Sequence, residues 1–132
     1  MTLKQHTYSS LKLAQKCAQL AAEKKAQNIV ILDIAKLTSY ADYLVICSAT
    51  SIRQNLAICK HVQNELSELG HKTLGVEGTS DGNWVLCDYA DVIFHSFFDE
   101  ARQYYDLDGF WSDAPRIELE GKNAENSAAL HQ

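Results

Sequence analysis

The amino-acid sequence predicts an α/β domain in which helices flank a mixed five-stranded sheet. Two observations predict this class: near-continuous apolar runs typical of interior strands, and an amphipathic segment with clear helix start and stop signals. The chain has 132 residues, 46% of them hydrophobic, which suits one core and is too short for two ordinary domains. We therefore expect a single domain over residues 1–119. Residues 120–132 are polar and small, so we expect them to form a disordered tail.

Two long helices are predicted from apolar spacing. Residues 9–25 carry apolar side chains at helical intervals among alanines. Residues 51–69 begin with a capping pattern, Ser51 followed three residues later by Gln54, and Gly70 supplies a left-handed stop. Between these signals the apolar residues recur every three or four positions, at Ile52, Leu56, Cys59, Val62, Leu66 and Leu69.

The strands are predicted from short β-branched runs. Residues 28–34 and 43–49 are too short for buried helices, and their continuous apolarity indicates interior strands covered on both faces. Three further strands are expected at residues 72–77, 83–88 and 91–98. The last two form a hairpin through a tight turn. Asp99 is then positioned to cap a short helix that runs to Tyr105.

Charge is distributed unevenly along the chain. Residues 77–120 contain eleven acids but only two arginines, a net of nine negative charges, whereas the whole chain has a formal net charge of −5. An acidic surface repels phosphate backbones and attracts partners rich in lysine and arginine. Direct RNA or DNA binding is therefore disfavoured as the main role, and a basic protein partner is favoured.

Two classes of protein are disfavoured by simpler features. The chain has no apolar run of the roughly 20 residues that span a bilayer, and its start lacks a secretory hydrophobic region, so we expect a soluble cytoplasmic protein with no membrane partner. The cysteines show no metal-ligand spacing, and we expect buried free thiols. They are Cys17, Cys47, Cys59 and Cys87.

The candidates for catalysis are weak. Asp88 and Asp91 flank a predicted turn and would suit a divalent metal in phosphoryl or nucleotidyl transfer, but no glycine-rich phosphate loop accompanies them, and solvated acids at a hairpin end are the simpler interpretation. His61 and His95 are isolated, as structural histidines usually are. We therefore predict no catalytic residue, no metal and no cofactor.

Aromatic residues suggest binding instead. In the strand at residues 83–88, Trp84, Leu86 and Asp88 share one face, and Val85, Cys87 and Tyr89 belong to the other. Alternation alone does not decide which face meets the core. If Trp84 faces outward, an aromatic side chain flanked by acids has the composition of a binding hot spot; otherwise Trp84 is a core residue. Further aromatic residues either cover the sheet edge or form a binding ledge: Tyr104, Tyr105, Phe110 and Trp111.

A series of motifs gives a more specific prediction. In order they are Ala41-Asp42-Tyr43, Thr50-Ser51 with Arg53-Gln54, Glu77-Gly78, Trp84, Asp88-Tyr89 with Asp91-Val92, His95, and Tyr104-Tyr105 through Trp111 to Asp113-Ala114-Pro115. Over residues 9–119 the chain closely resembles the ribosomal silencing factor family, also called the Iojap family.

This resemblance implies a nucleotidyltransferase-like fold without catalytic motifs and a role that is not enzymatic. Such a protein binds the large ribosomal subunit through its basic protein L-fourteen and sterically blocks association with the small subunit, which represses translation. The resemblance also leaves open a late assembly factor for the large subunit that uses the same surface, and a homodimer when the protein is free.

The resemblance also assigns residues. Trp84 would anchor the partner, and Asp88 and Asp91 would face its lysines or arginines. The other predicted partner-binding residues, which would shape or support this surface, are Tyr89, His95, Tyr104, Tyr105 and Trp111. Two departures from the family pattern are mild: Phe110 stands where leucine is common, and Ala90 stands where glycine is common.

Overall fold

The computed structural model describes residues 7–119, and the predicted tail lies outside them. The expected α/β class is confirmed, with a mixed sheet and helices on both of its faces. In chain order the elements are α1 (Ser10–Glu23), β1 (Gln27–Asp33), β2 (Tyr43–Ala49), α2 (Ile52–Glu68), β3 (Gly75–Glu77), β4 (Trp84–Asp88), β5 (Val92–Phe98), α3 (Asp99–Tyr105), α4 (Leu107–Phe110) and β6 (Arg116–Ile117). No helix within these residues is both long and apolar enough to cross a bilayer.

The sheet has six strands in the order β3-β4-β5-β2-β1-β6, one more than predicted. β2 and β5 are parallel, and every other neighbouring pair is antiparallel. The extra strand is β6, which pairs with β1 through only two residues and so leaves little pattern in the sequence. The predicted hairpin is β4–β5, in which Trp84 lies opposite Phe97 and Asp88 opposite Ile93.

Side-chain caps begin both long helices. The Ser9 hydroxyl accepts a hydrogen bond from the backbone N–H of Lys12, and the Ser51 hydroxyl accepts one from Gln54. The Gln54 side chain in turn accepts from the backbone N–H of Thr50, so the predicted start of α2 is confirmed. α3 differs from the prediction. Asp99 is its first residue rather than its cap, and the preceding residue forms no capping side-chain bond.

The larger part of the core lies between the sheet and the helices α1 and α2. Both helices turn their apolar stripes onto one sheet face, where Val45, Phe94 and Val85 are fully buried. The side chain of Tyr89 also lies on this side. All four cysteines are buried here as free thiols, as predicted.

The opposite sheet face is covered by α3, α4 and the segment that leads to β6. Beneath them lies a second cluster that includes Leu44, Ile46 and Phe97. Because α3 and α4 span only seven and four residues, they cover this face incompletely, and Trp84 and Leu86 are only partly buried. This half-open region of β4 is where the candidate site lies.

Candidate partner-binding face

Three alternate residues of β4 point to the half-open side of the sheet. Trp84, Leu86 and Asp88 are each partly buried, whereas Val85 and Cys87 between them are fully buried against the long helices. Glu77 of β3 is paired in register with Leu86, so its side chain lies on the same side. We call Trp84, Leu86, Asp88 and Glu77 the β4 face.

Trp84 is held in a fixed position at one end of the β4 face. Its ring stacks on Phe97 with centroids 4.9 Å apart, and the ring of Tyr105 from α3 packs on it at 4.8 Å. The indole Nε1 donates a hydrogen bond of 3.0 Å to Nδ1 of His95. The sequence left open a core or an exposed Trp84, and the structure combines the two, since the ring is packed on several sides but remains partly accessible.

His95 orients Trp84 from below. It is only 4% exposed, and burial lowers its pKa to about 4. Because the indole N–H can only donate, Nδ1 must accept, and the imidazole proton lies on Nε2. His95 is therefore neutral at neutral pH and acts on the surface through the tryptophan.

Carboxylates lie at the other end of the β4 face. Asp88 is four residues from Trp84, about 13 Å along the strand, and its Oδ1 accepts a hydrogen bond of 2.8 Å from the N–H of Ala90. Asp91 is exposed in the adjoining turn. Partial burial first, and then the charges of Asp88 and Glu77, raise the pKa of the exposed Tyr40 hydroxyl. An aromatic end and an acidic end thus share one surface.

One predicted partner-binding residue, Tyr89, lies on the opposite face of the sheet, whereas Trp111 lies on the same side as Trp84. Tyr89 is 7% exposed and packs on the side of the long helices, because neighbouring residues in a strand point to opposite faces. Its hydroxyl has no hydrogen-bond partner among the described residues, and burial raises its pKa. Trp111 follows α4, where its ring meets that of Phe110 edge-on at 5.2 Å. The structure thus does not place Tyr89 on the β4 face.

The aromatic surface continues from Trp84 onto α3. Tyr104 is 81% exposed and meets the ring of Tyr105 edge-on at 5.0 Å. The structure therefore places five of the predicted residues on one side of the sheet, with four linked by side-chain contacts and Asp88 farther along the strand: Trp84, His95, Tyr105, Tyr104 and Asp88.

The alternation that groups Trp84 with Asp88 also puts Leu86 on this face, but sequence reasoning missed Glu77 and Tyr40. Glu77 depends on the register between β3 and β4, and Tyr40 depends on the return of a distant loop. No signal in the sequence predicts these last two. Within residues 7–119, no three His, Cys, Asp or Glu side chains are arranged to hold a metal ion.

Arg102 secures α3, which carries Tyr104 and Tyr105. Its guanidinium forms two hydrogen bonds to Asp108, at 3.1 and 2.9 Å, and also donates to the Ser48 hydroxyl and the Asn28 carbonyl. Burial would raise the pKa of Asp108, but the hydrogen bonds and charge of Arg102 outweigh it and lower that pKa. The ion pair therefore joins α3 to α4, and the hydrogen bonds to Asn28 and Ser48 hold this segment against β1 and β2.

Comparison with known proteins gives the same family as the motifs. Residues 7–132 match the family model described as "Ribosomal silencing factor during starvation". The ribosomal silencing factor of Halalkalibacterium halodurans is 35% identical over 86% of this chain and 97% of its own length, and that of Bacillus subtilis is 36% identical over 85% and 92%. A crystal structure of a Chromobacterium violaceum protein superposes with a TM-score of 0.78 at 31% identity, covering 80% of this chain and 88% of that one. The chain belongs to the ribosomal silencing factor family.

Proposed function

We propose that this protein is a non-enzymatic repressor of translation, which binds the large ribosomal subunit through its basic protein L-fourteen and sterically prevents the small subunit from joining. One observation carries the proposal. The β4 face of a member of this family presents a tryptophan fixed by His95 and Tyr105 at one end and carboxylates toward the other.

The aromatic end suits an anchor for a protein partner. Tryptophan residues that fill a pocket on a partner contribute a large share of the binding free energy. Because Trp84 is already held by a hydrogen bond and two ring contacts, little side-chain entropy remains to be lost on binding.

The acidic end suits a basic partner. Asp88 and Glu77 lie on adjacent strands of the β4 face, and Asp91 is exposed at the end of the hairpin. The negative potential of these carboxylates would attract a partner that carries lysines or arginines, and pairing between the opposite charges would fix the orientation of the complex. Such complementarity raises the association rate and selects against acidic partners.

Repression would follow from the position of the helices α1 and α2 when the β4 face is bound. The helices α1 and α2 pack on the sheet face opposite the β4 face. A partner bound at the β4 face therefore leaves this helical layer projecting away from the contact, where it would occupy the space that the small subunit needs. This mechanism requires no catalytic group.

Binding measurements with purified large subunits and with isolated protein L-fourteen test the proposal. Trp84→Ala should weaken both interactions by about 2 kcal/mol or more, which is roughly 30-fold in Kd. Trp84→Phe should have a smaller effect, because it keeps the stacking on Phe97 and loses the hydrogen bond to His95. Leu11→Ala removes an exposed apolar side chain from α1, far from the β4 face, and serves as the control.

Unchanged affinity of a folded Trp84→Ala protein for both partners would contradict the anchor assignment. The homodimer that the resemblance permits would compete for the same face. Sedimentation velocity over a range of protein concentrations, for the wild type and for Trp84→Ala, measures that competition.

A further inference from the structure

A second charged surface, of opposite sign to the β4 face, lies at one end of the helical layer. It consists of four exposed side chains, Lys24, Lys25, Arg53 and Lys60, which we call the basic corner. The structure joins residues that are far apart in sequence: the Gln54 side-chain amide, next to Arg53, donates to the carbonyls of Lys24 and Lys25 at 3.3 and 3.2 Å.

Lys60 extends the basic corner along α2. It lies seven residues after Arg53, two turns and about 10 Å along the same helix face. The nearby carboxylate of Glu23 accepts a hydrogen bond of 2.8 Å from Nε2 of His61. The acids at the end of α2, Glu65 and Glu68, lie toward the opposite end of the helix pair, so positive charge dominates the corner.

Local folding does not account for two of these cations. Arg53 is the second residue of α2, where the helix dipole is positive and a cation is unfavourable. Lys25 has a φ of 68°, a left-handed conformation that favours glycine. Lys24 differs, because a cation at the end of α1 interacts favourably with the helix dipole.

None of the four cations is neutralised by a salt bridge within residues 7–119. The two ion pairs in this range are Glu23–His61 and Arg102–Asp108.

The composition of the basic corner favours a polyanion over a protein. Protein interfaces have an apolar centre, often with aromatic side chains. The exposed large apolar side chains of residues 7–119 lie elsewhere, with Leu11 and Leu69 at the far end of the two helices. Phosphate backbones are bound through separate cations with no apolar centre. The overall charge of −5 does not prevent this, because charges more than about 8 Å apart are screened at physiological salt.

We infer that the basic corner docks on the phosphate backbone of structured RNA. The inference rests on the proposed function only for the source of that RNA, which would be the large subunit itself. The protein then holds a basic ribosomal protein on the β4 face and RNA phosphates at the corner of the helical layer, and the two contacts together fix its orientation on the subunit.

Binding of the full-length protein to a labelled RNA duplex of about 20 base pairs tests the inference at about 50 mM salt. Removing three charges by Lys24→Gln, Lys25→Gln and Arg53→Gln should weaken binding about tenfold or more. It should also make the slope of log Kd against log salt shallower by nearly three, because each of the three lost phosphate contacts contributes just under one.

A matched control removes the same number of charges elsewhere. Lys12→Gln, Lys36→Gln and Lys72→Gln are exposed and distant from the basic corner, and this triple variant should bind the duplex within about twofold of wild type. Equal weakening by both triple variants would show that net charge alone drives binding and would overturn the inference. Failure of the wild type to bind the duplex would overturn it as well.

Two further binding measurements, with isolated protein L-fourteen and with the duplex, separate this inference from the proposed function. The basic-corner variant should keep its affinity for isolated protein L-fourteen, whereas Trp84→Ala should lose that affinity and keep duplex binding. If the corner variant binds large subunits weakly while the wild type ignores the duplex, the corner contacts an acidic protein and the RNA assignment is wrong.

Discussion

At the scale of single residues, the β4 face depends on how Trp84 is held. The two-residue period of a strand predicted that Trp84 and Asp88 share a face. It could not say which face meets the core, because the sheet is packed on both sides. The same period places Tyr89 away from Asp88, although the two are adjacent in sequence. Side chains of adjacent residues in a strand point to opposite faces of the sheet, so Asp88 and Tyr89 do not share a binding surface.

The burial of His95 predicts a pH dependence of stability. Its pKa is about 4 in the folded protein, compared with 6.5 for an ordinary histidine side chain, so the unfolded chain binds more protons between these values. Stability should therefore fall by roughly 3 kcal/mol as the pH drops from 6.5 to 4, and should be insensitive to this group above pH 7. Urea denaturation across this range measures the effect.

His95→Gln is the control for this prediction, because glutamine can still accept a hydrogen bond from Trp84 but does not titrate. The decline between pH 6.5 and 4 should be clearly shallower in the variant. Burial also lowers the pKa of His71, but that histidine is present in both proteins. Parallel pH curves for the two proteins would contradict the assignment of a buried neutral imidazole.

Ala90 gives a second prediction at this scale. It has a φ of 69° in the β4–β5 turn, a conformation that costs a residue with a Cβ and suits glycine. Ala90→Gly should therefore raise the free energy of unfolding by about 0.5–1 kcal/mol. Ala57→Gly, on the exposed side of α2, should lower it by about 1 kcal/mol. Loss of stability in Ala90→Gly would contradict the strained turn.

At the scale of elements, local signals predicted the helices α1 and α2 and the β4–β5 hairpin. Serine caps and apolar spacing act within a few residues, so these elements can be read from the sequence. β6 and α4 have two and four residues and depend on tertiary contacts, which leave no periodic pattern. For the same reason β3 is shorter than predicted and begins at Gly75.

Asn55 connects three elements and predicts a large loss of stability on substitution. It is fully buried in α2, and its amide donates to the carbonyls of Gly82, in the turn before β4, and Ser96, in β5. Its oxygen accepts from the Ser96 hydroxyl. Asn55→Leu would leave these buried groups unpaired, and we expect a loss of about 3 kcal/mol in urea denaturation.

Asn64→Leu is the matched control, because Asn64 is exposed on the same helix. It should change the free energy of unfolding by less than about 0.5 kcal/mol. A loss of similar size in both variants would show that the helix tolerates leucine poorly for reasons unrelated to the buried hydrogen bonds.

At the scale of the whole molecule, charge is separated between two surfaces. The acidic stretch was visible in the sequence because its residues are contiguous, and the structure gathers part of it at the β4 face. The basic corner was not visible, because Lys25 and Arg53 are 28 positions apart and come to the same corner only through the packing of α1 on α2, where Gln54 bonds to the Lys25 carbonyl. The formal net charge of −5 is a sum over the whole chain, so it reveals neither the acidic end of the β4 face nor the basic corner.

Charge complementarity predicts how salt affects binding to protein L-fourteen. The association rate should fall as salt rises, and Asp88→Lys should reduce it further, because both weaken the attraction between the acidic end of the β4 face and a basic partner. Stopped-flow measurements at several ionic strengths test this. Glu68→Lys makes the same change of charge at the end of α2 and should have a smaller effect. An association rate independent of salt would contradict acidic docking.

The formation of joined ribosomes from purified subunits, followed by sedimentation, measures whether the β4 face prevents subunit joining. Wild-type protein added to large subunits should lower the yield of joined particles and should sediment with the large subunit. Folded Trp84→Ala protein at the same concentration should restore the yield. If joining proceeds normally with wild-type protein present, or if Trp84→Ala represses as well as wild type, the β4 face does not silence the ribosome in the way proposed.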